Sequence, residues 1–143
     1  MTLYMATRGF PGRARPRVLI AEDDGELRQL MARSLAEDGY EIDEALSGLE
    51  LLALLARPCR RYDVVVSDIR MPGLSGLEVL DDLRTHREFK DSTVAVILVT
   101  AFPDLQVRAE AGRLQATLLE KPVDLDELRD TVADLVDPTQ LVS

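Results

Sequence analysis

The chain of 143 residues is poor in cysteine and aromatic residues and has no long apolar run. Its single cysteine, Cys59, cannot form an internal disulfide, which fits a protein of the reducing cytoplasm. The longest purely apolar stretch, residues 94–99, is far too short to span a bilayer, and residues 1–17 lack the apolar core of a signal peptide. We therefore predict a cytoplasmic protein with no membrane partner.

The charge is strongly acidic, with 26 Asp and Glu against 17 Lys and Arg and a net charge of −9. The first 17 residues reverse this balance, because they contain four arginines and no acid. We expect residues 1–16, which also hold several Pro and Gly, to be a disordered basic leader, residues 17–137 a single folded domain and residues 138–143 a short tail. So acidic a body predicts no direct nucleic-acid binding.

Apolar runs alternate with helical patterns five times along the domain. Runs at 18–21, 40–45, 62–67, 94–99 and 116–119 predict strands, and each is followed by a segment that predicts a helix. Strands that alternate with helices are parallel and joined by right-handed crossovers, so this pattern predicts an α/β fold with helices on both faces of the sheet.

Polar residues mark where the helices begin. Asp24 and Asp124 are predicted N-caps, and the sequences Ser47 to Glu50 and Ser75 to Glu78 fit capping boxes. The segment 103–112 alternates like a strand but is rich in Ala, Glu and Arg, so we predict a helix there and expect it to be the least stable one.

The residues that carry chemistry follow the predicted strands. Asp68 comes directly after the third apolar run, Glu22 and Asp23 after the first, Thr100 after the fourth and Lys121 after the fifth. Because the carboxyl ends of parallel strands meet at one edge of a sheet, these side chains are expected to converge there.

Three carboxylates in one crevice repel one another unless a cation binds among them. A hard divalent ion with oxygen ligands, Mg²⁺ above all, suits such a cluster and would attract a phosphoryl group. Lys121 would supply a cation and Thr100 a hydrogen bond for two phosphoryl oxygens. That leaves Asp68 as the nucleophile, which predicts an aspartyl-phosphate.

Over about residues 17–137 the chain resembles the receiver domain of two-component response regulators, of the kind seen in chemotaxis regulators. The motifs that carry the resemblance are Glu22-Asp23, Asp68 with Met71-Pro72 and Gly76, Thr100-Ala101 and Lys121-Pro122. The resemblance implies a flavodoxin-like, doubly wound sheet of five parallel strands in the order 2-1-3-4-5 with five helices.

The resemblance also implies a role for each matching residue. Asp68 would accept a phosphoryl group from a histidine kinase or a histidine phosphotransfer protein. Asp23 and Asp68 would bind Mg²⁺ directly, Glu22 through water, and the main-chain carbonyl of Arg70 would complete the protein ligands. The phosphoryl group would be held by Thr100 and Lys121 with the amides of Arg70 and Ala101, and the Lys121–Pro122 bond would be cis.

Two positions depart from the family pattern, and two more bear on the lifetime of the phosphoryl group. Receivers usually carry Tyr or Phe where this chain has Leu118, so the usual aromatic switch is in doubt, and Leu114 stands where Gly is common. Arg70 and Phe102 are expected to flank the approach of water to the phosphoryl group and to slow its hydrolysis.

Other classes of protein remain alternatives. Haloacid-dehalogenase-type phosphohydrolases need a second Asp two residues after the nucleophile, where this chain has Arg70. A nucleotide-binding protein is disfavoured because neither G-x-x-x-x-G-K-[ST] nor G-x-G-x-x-G occurs. The main alternative is a pseudo-receiver, an interaction module that does not use phosphorylation.

The expected protein is a conformational switch that accepts and hydrolyses its own phosphoryl group, and not a turnover enzyme on an external substrate. Residues 138–143 are too few to form an effector domain, so output is expected through a downstream effector protein. The sequence leaves open a homodimer, the cognate kinase and whether the chain is a stand-alone receiver or part of a longer protein.

Overall fold

A computed structural model describes residues 15–58, 61–86 and 93–136. Most of the predicted leader and all of the predicted tail lie outside these ranges. The strands are β1 (Arg17–Ala21), β2 (Glu41–Ala45), β3 (Val64–Asp68), β4 (Ala95–Thr100) and β5 (Ala116–Glu120). The helices are α1 (Gly25–Glu37), α2 (Gly48–Leu55), α3 (Gly76–Thr85), α4 (Leu105–Arg113) and α5 (Leu125–Val136).

All neighbouring strands pair in parallel, in the order β2-β1-β3-β4-β5. The predicted doubly wound α/β fold is therefore confirmed. The chain winds from β1 to one edge of the sheet and then crosses back to β3, so the winding changes direction between β1 and β3. A crevice opens at such a point, beyond the carboxyl ends of the strands.

Two apolar clusters fill the space between the sheet and its helices. Leu19 and Val65 belong to the cluster beneath α2, α3 and α4. Val18 and Val64, one residue earlier on the same strands, belong to the cluster beneath α1 and α5. Successive strand residues point to opposite faces, so a strand covered on both faces has a continuous apolar run, as residues 18–21 of β1 and 64–66 of β3 have.

Two predicted site residues, Asp68 and Thr100, lie within the sheet itself, at the ends of β3 and β4. Asp68 pairs with Val99 in the β3–β4 register, and Thr100 pairs with Glu120 in the β4–β5 register. The third and fourth strands thus begin and end slightly later than the apolar runs predict. Main-chain pairing continues through the polar residue, because hydrogen bonding in the sheet does not depend on side-chain polarity.

The predicted helix starts are found in the structure. Asp24 Oδ1 accepts hydrogen bonds from the amides of Glu26 and Leu27, and the Ser75–Glu78 capping box has both of its reciprocal bonds. Ser47 caps α2 and Asp124 precedes α5 with the bonds of an N-cap. These caps satisfy amides that the helix cannot satisfy internally.

The segment 103–112 does form a helix, although it begins at Leu105 after the N-cap Asp104. The turn after α4 shows why Leu114 can stand where the family commonly has Gly. That side chain is buried in the core, and the left-handed conformation falls on Gln115, with φ of 59°. Leu114 therefore has no need of glycine's conformational freedom, because the next residue makes the turn.

Candidate functional site

The predicted site residues converge at the carboxyl edge of the sheet. Asp68 ends β3 and Thr100 ends β4, while Glu22 and Lys121 directly follow β1 and β5. Glu22 is 1% exposed, Asp68 5% and Thr100 2%, although polar side chains are seldom buried without partners. Four strands separated in sequence therefore place these groups together.

Three of the carboxylates form a compact cluster. Glu22, Asp23 and Asp68 each offer an oxygen, and the three oxygens lie within 4.8 Å of one another. Burial raises the pKa of the Glu22 carboxyl to about 7, with the charge of Asp68 adding to the rise and the hydrogen bond from the Asp24 amide opposing it. Burial and the charge of Asp68 both disfavour the ionised form of Glu22. A further positive charge would therefore stabilise the three carboxylates in their ionised forms.

Lys121 supplies part of that positive charge. Its Nζ lies 3.1 Å from Asp68 Oδ2 and 3.2 Å from Glu22 Oε1. Burial lowers the pKa of Lys121, but the hydrogen bond and charge of Asp68, together with Glu22, outweigh burial and raise it above its ordinary value. The ammonium therefore stays protonated at neutral pH and bridges two acids. The Lys121–Pro122 peptide bond is cis, as predicted.

The cluster has the chemistry of a site for a hard divalent cation. Its donors are carboxylate oxygens, which are the ligands that Mg²⁺ prefers. Glu22 Oε1 is buried and has no hydrogen-bond partner among the described residues, although Lys121 Nζ lies close to it. A buried acceptor without such a bond is costly, and a cation or its bound water would satisfy it.

The main chain around Asp68 is tightly packed against α3. A side-chain Cβ at Gly76 would lie 2.4 Å from the Asp68 carbonyl oxygen and 2.9 Å from Ser67 Oγ. Glycine therefore allows the start of α3 to approach the end of β3. Ser67 Oγ donates to the Asp68 carbonyl at 3.0 Å and so helps to hold the main chain at Asp68. Sequence reasoning missed this role, although a polar residue within the apolar run was a signal for it.

The loops after β3 and β4 meet above Asp68. The Arg70 amide donates to Asp68 Oδ1 at 3.3 Å, and the Phe102 amide donates to Thr100 Oγ1 at 3.1 Å. The Arg70 guanidinium carbon lies 4.7 Å from the centre of the Phe102 ring, a cation–π contact between two exposed side chains. The two residues predicted to flank the phosphoryl group are thus stacked on each other.

Ala101 and Leu118 lie on the side of the site formed by β4 and β5. Ala101 is exposed in the bend directly after β4. Leu118 pairs with Leu98 in the sheet and packs, partly buried, against the cluster beneath α2, α3 and α4. Leu118 has no aromatic ring to rotate, and it packs instead among apolar neighbours.

Sequence reasoning also missed Arg28. Its Nη1 donates to the Glu22 main-chain carbonyl at 2.9 Å, and its Nε donates to Glu44 Oε1 at 3.0 Å. A single arginine in the first turns of a helix gives no pattern by itself. Its contacts arise because β1 and β2 lie side by side, and a local sequence pattern does not reveal that pairing.

Among the described residues, no helix has both the length and the apolar character needed to cross a bilayer.

Comparison with known proteins agrees with this geometry. The family model of the response regulator receiver domain matches residues 18–133. Sporulation initiation phosphotransferase F of Bacillus subtilis (strain 168) is 32% identical over 117 residues, which cover 81% of this chain and 90% of that protein. Sensor kinase CckA of Brucella abortus (strain 2308) is 34% identical over 122 residues, which cover 84% of this chain but only 12% of the kinase.

Solved structures show the same fold. The receiver domain of the Francisella response regulator 1452 has a TM-score of 0.77 and 31% identity to this chain. The alignment covers 87% of this chain and 99% of that domain.

Proposed function

Because this chain belongs to the receiver domains of two-component response regulators, we propose that Asp68 is the residue on which it accepts a phosphoryl group. The observation that carries the proposal is the contact of Lys121 Nζ with Asp68 Oδ2 at 3.1 Å, beside the carboxylates of Glu22 and Asp23. That arrangement gives a nucleophile, a cation for the incoming phosphoryl oxygens and the ligands for a divalent ion in one crevice.

The residues present fit Mg²⁺. Asp23 and Asp68 would hold it directly, Glu22 through water, and the Arg70 carbonyl would complete the protein ligands. When bound, Mg²⁺ neutralises charge between the carboxylates and the phosphoryl oxygens. The burial of Glu22 beside Asp23 and Asp68, with one ammonium shared between Glu22 and Asp68, supports this assignment.

The chain's own residues then act on the phosphoryl group. A carboxylate oxygen of Asp68 forms the new bond to phosphorus while the bond from phosphorus to the donor breaks. Lys121 exchanges its contact with free carboxylate for one with a phosphoryl oxygen, and the Thr100 hydroxyl turns to donate to another. The amides of Arg70 and Ala101 would also donate to phosphoryl oxygens.

The donor class follows from the family. We propose a histidine kinase or a histidine phosphotransfer protein as donor and a downstream effector protein as target of the signal, with this chain itself in the cytoplasm. The protein then works as a switch rather than as a turnover enzyme. In support, Arg70 occupies the place where a phosphohydrolase of the haloacid-dehalogenase type needs an acid.

Labelling with a small phosphodonor tests the proposal. With Mg²⁺ and acetyl phosphate, the wild-type chain should gain a single acid-stable, base-labile phosphoryl group. Asp68→Asn should abolish labelling, because an amide cannot form the acyl phosphate. The matched control Asp24→Asn removes an acid two residues from Glu22, at a helix cap, and should still be labelled.

Two results would count against the proposal. Labelling of Asp68→Asn at the wild-type rate would show that another residue is the acceptor. A wild-type chain that takes up neither phosphoryl nor beryllofluoride at saturating Mg²⁺ would identify a pseudo-receiver.

A further inference from the structure

We propose that Arg28 is a positioning residue that sets the orientation of Asp23 for Mg²⁺, an inference that rests on the function proposed above. Asp23 is exposed, so packing of its side chain does little to hold it in place. Its position depends on the main chain that carries it through the turn between β1 and α1.

That main chain is held from both sides at Glu22. The Glu22 amide donates to the Ala45 carbonyl at 3.1 Å, at the end of β2. The Glu22 carbonyl accepts from Arg28 Nη1 at 2.9 Å. Because a carbonyl lies in the same rigid plane as the amide of the next residue, this second bond fixes the peptide unit that enters Asp23.

Arg28 is itself held in place. Its Nε donates to Glu44 Oε1 at 3.0 Å, and its side chain is 11% exposed. Glu44 lies on β2, opposite Ile20 of β1. The guanidinium therefore joins two strands to the first turns of α1 through a rigid fork of donors.

The placement of this cation has a cost that its contacts must offset. Arg28 is the fourth residue of α1, near the positive end of the helix dipole, where a cation is disfavoured. Helix stability alone would therefore favour an uncharged or acidic residue at this position. The contacts with the Glu22 carbonyl and Glu44 offset that cost, and both are made at the turn that presents Asp23.

A positioning role and a purely electrostatic role of Arg28 predict different Mg²⁺ affinities for two variants. Arg28→Lys keeps the charge but loses the planar fork, so positioning predicts weaker Mg²⁺ binding and electrostatics predicts no change. Arg28→Gln removes a cation that contacts the main-chain carbonyl next to Asp23. Electrostatics then predicts tighter Mg²⁺ binding, whereas positioning again predicts weaker binding.

The experiment is a calorimetric Mg²⁺ titration of the full chain at physiological salt, which screens distant charges. Both Arg28 variants should bind Mg²⁺ about tenfold more weakly than wild type, the lower end of the loss seen when an outer partner of a metal site is removed. The control Arg33→Gln makes the same charge change at an exposed position of the same helix and should bind as wild type does.

A second pair of variants covers the case in which Arg28 variants do not fold. Glu44→Gln leaves Arg28 in place but weakens its anchor, and it should bind Mg²⁺ severalfold more weakly than Glu41→Gln. Both glutamates lie on β2, are comparably exposed and pair with an arginine, but the partner of Glu41 is Arg17, at the opposite end of β1 from the site.

Phosphorylation kinetics give a further readout. If Arg28 acts through the metal ligand, the slower labelling of Arg28→Lys by acetyl phosphate should be restored by raising Mg²⁺. Wild-type affinity in Arg28→Lys, tighter binding in Arg28→Gln, or equal affinities in Glu44→Gln and Glu41→Gln would overturn the inference. A wild-type chain that binds no Mg²⁺ would overturn the proposed function as well.

Discussion

The two sides of the acidic crevice are built very differently. On the acidic side, residues 18–21 of β1 are completely buried, and α1 buries Met31, Ala32 and Leu35. On the opposite side, three of the five residues of β5 are only partly buried, and in α4 the buried residue is Ala111. The side formed by β1 and α1, which presents Glu22 and Asp23, is thus firmly packed, whereas the side formed by β5 and α4, which leads into Lys121, is packed less firmly.

Exposed apolar side chains occur on both sides of the crevice, but the most exposed one among the described residues lies at the start of α4. Phe102 is 58% exposed and Leu105 is 85% exposed, both in or next to the start of α4. Elements with few buried apolar contacts open at low free energy and supply the moving parts of switches. The difference teaches that Glu22 and Asp23 are presented by well-buried elements, while Lys121 lies among elements with less buried surface.

Removing one acid from the rigid side should have the largest effect. Asp23→Ala should weaken Mg²⁺ binding by more than about 100-fold, because loss of even an outer partner of a metal site costs about 10- to 100-fold. Asp24→Ala should instead lose about 1 kcal/mol of stability, since it caps α1. Calorimetric titration and thermal unfolding of both variants make the comparison, and equal losses of Mg²⁺ affinity would show that the acidic turn has another register.

The buried Glu22 predicts a dependence of stability on pH in the metal-free protein. Its pKa is about 7 in the folded chain and about 4.5 as an ordinary carboxyl. The folded state therefore binds more protons between these values, so the contribution of Glu22 to stability is complete below about pH 4.5 and is lost as the pH rises through about 7. The slope is at most about 1.4 kcal/mol per pH unit for one proton.

Urea unfolding of wild type and Glu22→Gln across pH 4 to 8 isolates this slope, as the other titrating groups are common to both. The amide cannot ionise, so the stability of Glu22→Gln relative to wild type should increase with pH across that window. A constant difference would mean that Glu22 is not held in its uncharged form.

The loosely packed side should respond most to the phosphoryl group. Beryllofluoride with Mg²⁺ should change amide hydrogen exchange most within residues 101–120 and least within residues 24–39, because α4 has little buried surface to hold it. Severalfold changes in α4 are expected. Asp68→Asn serves as the control, since it cannot bind the analogue in the same way, and equal changes in α1 and α4 would contradict the asymmetry.

A smaller effect is expected at the Arg70–Phe102 stack, which joins the loops that follow β3 and β4. The aromatic ring excludes water and the guanidinium can lie over phosphoryl oxygens, so both slow hydrolysis. The double variant Arg70→Asn, Phe102→Glu should lose its phosphoryl group severalfold faster with little change in Mg²⁺ affinity. Decay of the labelled protein at the wild-type rate or slower would remove this shielding role.

Much of the rigid side could be predicted from local patterns. The apolar run of β3, the Asp24 cap and the Ser75–Glu78 box are short-range signals, and the structure confirms each of them. The pattern was weakest at α4, where few buried residues impose helical periodicity. The same lack of burial that made the helix hard to predict also makes it a candidate for movement.

By itself, the sequence determined the order of the elements and the presence of Glu22, Asp23, Asp68, Thr100 and Lys121 at one edge, because parallel strands bring their carboxyl ends together. Tertiary structure decided the rest: the 3.1 Å contact of Lys121 with Asp68, the raised pKa of Glu22, the close approach at Gly76, the Arg70–Phe102 stack and the bond from Arg28 to the Glu22 carbonyl. Local periodicity records which face of an element is buried. Distances between side chains depend on how distant elements pack, and burial sets the electrostatic environment only after that packing is complete.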